Sequence, residues 1–281
     1  MSPLFFDPVT GDPPDIDPIY PPSYTGVAIP SNGDWLYGTA YIAQGQGPHP
    51  VAVFLHGLPG NERNLDLAQA ARRAGWTTLA VSYRGAWGSS GVFSFSHALE
   101  DVRAMLAWLR TTEARDQIRA DGARVALIGL SMGAWASLIT AADTPALLGA
   151  AALAPWNLGA YAAMAAEPGA RPAAVHFMET LTRPLQSIGA ERLLDEALAH
   201  GDEWDYTRYA GVLRDRALLV VAGEDDDEAP PPMHYAPLAA ALRGAPDIRL
   251  EQLEGADHAF SARRIGLARA VIEWLDTLRR D

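Results

Sequence analysis

Arg124-Val125-Ala126-Leu127-Ile128-Gly129-Leu130-Ser131-Met132-Gly133-Ala134 is the stretch that decides the fold. Residues 124–129 read as a short buried strand, and a helix of small residues opens directly after Ser131. Between them, Gly129-Leu130-Ser131-Met132-Gly133 matches G-x-S-x-G. A turn that holds a serine at its tip needs small flanking residues, because strand and helix nearly touch there. Gly129, Gly133 and Ala134 meet that need. The hydroxyl then projects at a helix N-terminus, where free N–H groups and the helix dipole favour negative charge. Ser131 is the candidate nucleophile, and the Met132 N–H is a candidate oxyanion donor. The other serine-bearing turn, Gly88-Ser89-Ser90-Gly91, is followed by Val92 and does not complete the pentapeptide.

Outward from this turn the chain alternates strands and helices. Residues 51–55 are a short, wholly apolar run of the kind a parallel strand covered on both faces requires, and 77–82, 149–154, 217–222 and 248–253 also read as strands. Helical spacing is read over 65–74, 98–110, 233–243 and 262–278, with Leu99, Val102, Leu106 and Leu109 along one stripe of the second. Such alternation implies a parallel sheet with helices on both faces. Ahead of it lie two strand-like stretches, 26–30 and 35–43, joined through the hairpin signal Asn32-Gly33.

Two segments depart from the rhythm. Residues 1–24 are rich in Pro and Asp and read as an extended strap. Residues 157–212 have no strand pattern, look helical, and carry Tyr161, Met164, Phe177, Met178, Trp204, Tyr206 and Tyr209. They are expected to form a helical cap, with the sheet core built from 25–156 and 213–281.

Three more loops complete a candidate site. Phe54-Leu55-His56-Gly57-Leu58-Pro59-Gly60 follows the first parallel strand, and the Leu58 N–H is the second candidate oxyanion donor. His56 is expected to anchor this loop. Gly223-Glu224-Asp225-Asp226-Asp227-Glu228-Ala229-Pro230 follows a strand and offers three adjacent acids, any of which could orient a histidine. Gly255-Ala256-Asp257-His258-Ala259-Phe260 supplies the base, His258. The order Ser, Asp, His is that of the α/β hydrolases.

With these motifs in view, residues 25–280 resemble the α/β-hydrolase superfamily, and within it the dienelactone-hydrolase and prolyl-oligopeptidase branch. Tyr83-Arg84-Gly85-Ala86-Trp87-Gly88-Ser89-Ser90-Gly91 and Leu99-Glu100-Asp101 add to the likeness. The resemblance implies an α/β fold with a mostly parallel sheet and a serine hydrolase mechanism. Its spacing, an acid three residues after the strand-ending Gly and a Pro four further on, picks Asp226, with Asp225 and Asp227 as fallbacks. The elbow reads Gly-Leu-Ser where prolyl oligopeptidases tend to carry Gly-Gly-Ser, and no β-propeller is present. Both features favour an esterase that stands alone over a peptidase of short peptides. A catalytically silent binding protein is the third reading, weakened by the presence of every triad member. Trp156, Tyr83 and Trp87, each just past a strand, are the expected walls of the substrate pocket.

Composition narrows the partners. The 281 residues carry a formal charge of −12, which repels phosphate backbones, so no nucleic acid is expected. The absence of cysteine removes disulfides, thiolate metal sites and a cysteine nucleophile. No histidines stand at ligand spacing beside the acidic run 224–228, and no glycine-rich nucleotide fingerprint occurs, so neither metal nor cofactor is expected. The expected partner is a small ester or short peptide. No apolar run is long enough for a membrane span and the N-terminus shows no signal peptide, so a cytoplasmic protein is expected.

Overall fold

The computed structural model describes residues 6–279. The opening strands β1 (Ser23–Ser31) and β2 (Asp34–Ile42) form an antiparallel hairpin. Its turn is Asn32-Gly33, both at positive φ, the twist that a two-residue hairpin turn demands. There follow β3 (His49–Leu55), α1 (Leu65–Arg73), β4 (Thr77–Val81), α2 (Phe95–Leu109) and α3 (Thr112–Ile118). The elbow lies between β5 (Ala120–Leu130) and α4 (Met132–Asp143). After β6 (Gly149–Leu153) come α5 (Leu158–Ala165), α6 (Arg171–Thr182), α7 (Ala190–Ala199), a 3₁₀ turn (Tyr206–Tyr209) and α8 (Ala210–Leu213). The chain closes with β7 (Leu218–Gly223), α9 (Pro231–His234), α10 (Ala236–Leu242), β8 (Ile248–Leu253) and α11 (Arg264–Leu278).

The strands form one eight-stranded sheet in the order β1-β2-β4-β3-β5-β6-β7-β8. The pairings from β4 to β8 are parallel; β1 and β2 pair antiparallel at one edge. Successive side chains alternate between two covered faces. Val53, Leu127 and Val220 meet Leu99, Val102 and Trp135 on one face. Phe54, Ile128 and Val221 meet Leu67, Val271 and Leu275 of α1 and α11 on the other. This double burial explains why these strands read as continuous apolar runs.

From β3 the chain moves to β4 on one side of the sheet and then returns to β5 on the other. The carboxyl ends of β3 and β5 therefore flank the point where the winding reverses, the place where open α/β sheets form a crevice. The Leu58 loop and Ser131 leave the sheet at those two ends.

Some elements differ from expectation. Helix α2 starts at Phe95, not at 98, because Ser94 caps it and its hydroxyl accepts from the His97 N–H at 3.1 Å. Helix α3 went unread although Thr111 caps it in the same way. The helix expected over 233–243 is two short ones, since Pro237 has no N–H to bond the Met233 carbonyl. Residues 1–5 of the expected strap lie outside the described residues; Asp7, Pro8 and Val9 lie against α1 and α11 through Arg73 and Arg269. Among the described residues no helix is long and apolar enough to cross a membrane.

Candidate active site

Ser131 occupies φ 57° and ψ −118°, a backbone region that non-glycine residues rarely enter. The surroundings over-determine it. Its N–H donates to the Leu153 carbonyl at 2.9 Å, and its own carbonyl accepts from Ala134 at 3.0 Å, Trp135 at 3.2 Å and Trp156 at 3.3 Å. A Cβ on Gly129 would lie 2.0 Å from the Gly133 carbonyl oxygen, and one on Gly133 would lie 2.1 Å from that of Leu55. The elbow thus closes only because both positions lack side chains.

The loop after β3 lies against the serine. A Cβ on Gly57 would stand 2.8 Å from the Ser131 Cβ, so only glycine lets this backbone approach. His56 is buried beneath the loop, and its Nδ1 lies 2.7 Å from the Gly57 carbonyl. A carbonyl can only accept, so Nδ1 carries the proton and Nε2 is bare. Burial pushes the His56 pKa down to about 4. Among the described residues the N–H groups of Leu58 and Met132 have no internal acceptor.

The candidate acid and base, Asp226 and His258, stand in loops after neighbouring strands, β7 and β8. His258 Nδ1 donates to Asp226 Oδ2 at 2.8 Å, while Asp226 Oδ1 accepts the N–H groups of Ala229 at 2.8 Å and Glu228 at 3.0 Å. Asp226 is buried, whereas Asp225 and Asp227 are exposed. Burial alone would lower the His258 pKa. The Asp226 hydrogen bond and the charges of Asp226, Glu228 and Asp257 outweigh it and hold that pKa above the ordinary value.

Ser131 and His258 line one cavity with Leu58, Trp156, Phe177, Leu181 and Glu228. It encloses only about 10 Å³, room for about one water molecule. No hydrogen bond joins Ser131 Oγ to His258 in this state; such contacts commonly tighten only when substrate is bound. Trp156 is the one expected wall residue that reaches the cavity. Tyr83 is wholly buried under the loop, its ring edge-on to His56 at 4.6 Å and to Phe93 at 6.5 Å, and it packs instead of lining the site. Trp87 is 45% exposed; its Nε1–H donates to the Pro59 carbonyl at 2.6 Å and Arg63 sits 5.6 Å over its ring. It braces the loop from outside.

Sequence reasoning passed over four residues here. Phe177 and Leu181 stand one turn apart on α6 and reach the cavity from the inserted helices. Glu228 belongs to the acidic run 224–228, in which only the three aspartates are candidates for a site role. His234 is buried behind the site; its Nδ1 accepts the Asn157 N–H at 3.0 Å, and burial pushes its pKa down to about 4. The inserted helices are tied to the sheet by aromatic rings. Phe95 packs against Trp135, Trp156 and Trp204 at 6.0–6.1 Å, and Trp156 against Tyr161 at 5.1 Å and Phe177 at 6.3 Å. The Glu196 carboxylate of α7 accepts the first N–H groups of α2, from Phe95 at 3.0 Å and Ser96 at 3.1 Å.

A model of the alpha/beta hydrolase family matches residues 52–270, from the first parallel strand into the last helix. The chain belongs to the alpha/beta hydrolase family. Solved structures of this fold match it over most of its length at low identity. Est1E from Butyrivibrio proteoclasticus, also solved with ferulic acid bound, has a TM-score of 0.68 at 15% identity, covering 91% of this chain and 99% of its own. The alpha/beta hydrolase GrgF from Penicillium sp. sh18 has a TM-score of 0.68 at 17% identity, covering 92% and 98%. The Pyrococcus furiosus esterase PF2001 has a TM-score of 0.65 at 17% identity, covering 91% of each chain. No curated protein matches this alpha/beta hydrolase by sequence.

Proposed function

We propose that the chain is a serine esterase that forms an acyl-enzyme on Ser131. The observation that carries this reading is the cavity at the reversal of the sheet. It brings a strained Ser131 beside His258, which is itself bonded to the buried Asp226. The Asp226 bond fixes the proton on His258 Nδ1 and leaves Nε2 as the base. His258 Nε2 takes the Ser131 proton as Oγ attacks the ester carbonyl carbon. The Leu58 and Met132 N–H groups receive the oxyanion. The tetrahedral species collapses, the C–O bond to the alcohol breaks, and His258 returns the proton to the departing oxygen. Water then repeats the sequence on the acyl-enzyme, releasing the acid and restoring Ser131. Every proton moves between the chain's own groups, substrate and water.

The helices from α5 to α8 act as a cap in this reading. Phe177 and Leu181 fill the space over Ser131, so a substrate enters by displacing α6. The apolar wall of Leu58, Trp156, Phe177 and Leu181 suits a small hydrocarbon or aromatic group.

The test is covalent labelling. Wild-type protein and Ser131→Ala are incubated with a fluorophosphonate, and intact mass is recorded. One adduct on the wild type and none on the folded variant is expected, followed by turnover of short esters faster than of the matching amides. Wild-type esterase activity in folded Ser131→Ala would remove the mechanism.

A further inference from the structure

The cavity over Ser131 is apolar except for two groups that the proposed reaction uses and one that it does not. Ser131 and His258 have roles; the third is Glu228. Among the described residues its carboxylate has no ion-pair or hydrogen-bond partner; only its backbone N–H is engaged, with Asp226. It lines the cavity with Ser131 and His258, and its charge helps to hold the His258 pKa above the ordinary value. Two aromatic rings, Trp156 and Phe177, their centroids 6.3 Å apart, line the same cavity. A lone carboxylate and aromatic rings on one cavity are the two elements that hold an ammonium group. Among the described residues no arginine or lysine lines this cavity. Arg264 is committed to Asp66, and Arg63 lies over Trp87; both line the adjoining groove and not this cavity. Asp225, Asp227 and Asp257 are exposed beside it and add to the negative field.

We propose that the Ser131 cavity selects esters that carry an ammonium group near the scissile bond, with Glu228 as counter-charge and Trp156 and Phe177 as the aromatic wall. The proposal rests on the serine-esterase reading. It names a chemical class, a cationic ester with a compact apolar ammonium head, and excludes esters with a carboxylate in that position. Glu228 is exposed, so solvent screens part of its attraction. The expected preference for cation over neutral isostere is about tenfold, not thousands.

The experiment compares kcat/KM for isosteric pairs that differ only in N⁺ against C. Butyrylcholine against 3,3-dimethylbutyl butyrate places the charge on the alcohol. The benzyl ester of 4-(trimethylammonio)butyrate against that of 5,5-dimethylhexanoate places it on the acyl group. A ratio of about ten in at least one pair is expected, falling toward one in Glu228→Gln and in high salt. The ratio cancels any change that this substitution makes at His258. A ratio near one in both pairs, or a ratio that Glu228→Gln leaves intact, overturns the proposal while the esterase stands. Failure to turn over either neutral ester, with no fluorophosphonate adduct on Ser131, overturns the esterase reading and this selectivity with it.

Discussion

His258 Nδ1 and Asp226 Oδ2 lie 2.8 Å apart, joined by a hydrogen bond between loops that follow adjacent strands. The bond fixes the proton on Nδ1, and in the proposed mechanism it leaves Nε2 as the nitrogen that serves Ser131. Asp226→Asn presents an amide that can turn its NH₂ toward Nδ1 and reverse the tautomer. We expect kcat for ester hydrolysis to fall by about 10⁴ with the fold intact. A loss below tenfold would leave Asp226 without that role.

The same bond sets a pH dependence. In the proposed mechanism His258 must be neutral to accept the Ser131 proton, so kcat/KM is expected to rise with pH and level off above the His258 pKa. Burial lowers that pKa, but Asp226, Glu228 and Asp257 raise it more, so the midpoint lies above the ordinary value of 6.5. Glu228→Gln removes one of the raising charges and moves the midpoint down. A pH–rate profile on a neutral ester reads both. The stability contribution has the opposite sense: it is present below the unfolded-state pKa and is lost as pH rises through the folded one.

Gly57 tests how closely the loop after β3 must approach the serine. A methyl group there would stand 2.8 Å from the Ser131 Cβ. The loop must retreat, and the Leu58 N–H leaves its place with it. Gly57→Ala is expected to cost about 10²–10³ in kcat, as the loss of one oxyanion donor does. Its melting temperature should stay near that of the wild type. Unchanged kcat would separate the Leu58 N–H from catalysis.

The sequence marks the polar residues that meet at the candidate site better than it marks the walls around them. Gly129 to Gly133 dictates a local turn, and the loops of Asp226 and His258 are marked by a strand followed by Gly, so neighbours in the chain suffice to find them. The choice among Asp225, Asp226 and Asp227 rests in the sequence on family spacing; the structure adds that, of the three, Asp226 is the one that is buried and bonded to His258. Wall residues have no such local mark. Tyr83 and Trp156 both follow strands, yet one turns under a loop and the other into the cavity. Phe177 and Leu181 reach Ser131 only through the path of α6, which no short-range pattern encodes. Helix α2 was read late because polar Ser96 and His97 interrupt its apolar stripe, although its Ser94 cap was present to be read.

The Leu99-Glu100-Asp101 stretch has a structural meaning. Asp101 is fully buried and accepts from Ser31 Oγ at 2.7 Å, the Arg84 N–H at 2.8 Å and Arg84 Nε at 2.7 Å. It joins the β1–β2 hairpin, the loop after β4 and α2. Removing Asp101 leaves the buried Arg84 guanidinium with only the Glu100 carboxylate and the His97 carbonyl as partners, so Asp101→Ala should cost about 3 kcal/mol in urea unfolding, the low end for a broken buried pair. A cost under 1 kcal/mol would mean that water reaches Arg84 freely.

His56 and His234 predict acid sensitivity. Burial holds both near pKa 4 in the folded state, while an unfolded chain protonates them near 6.5. Between those values the unfolded state binds more protons, so stability is complete above about pH 6.5 and is lost as pH falls. Two such groups give a slope approaching about 2.7 kcal/mol per pH unit near pH 5. Urea midpoints measured from pH 7 to 4.5 should show it. His234→Asn, which keeps an acceptor for the Asn157 N–H, should reduce the slope by up to half, and an unaltered slope would exclude His234.

The cap sets the last prediction. A cavity of about 10 Å³ cannot hold an acyl chain, and Phe177 and Leu181 are the lining residues that come from α6. Both are only partly buried, so shortening them costs less stability than removing a core side chain. Each methylene that gains an apolar contact is worth about 0.8 kcal/mol, about fourfold in kcat/KM. Phe177→Ala, and more so Phe177→Ala with Leu181→Ala, should raise the kcat/KM ratio of hexanoate to acetate esters by at least about tenfold. Trp156→Ala is the poorer probe, because its ring also packs against Phe95 and Tyr161 and its loss would loosen the helices themselves. An unchanged chain-length profile in the double variant would mean that substrate enters from another side, with α6 fixed over Ser131.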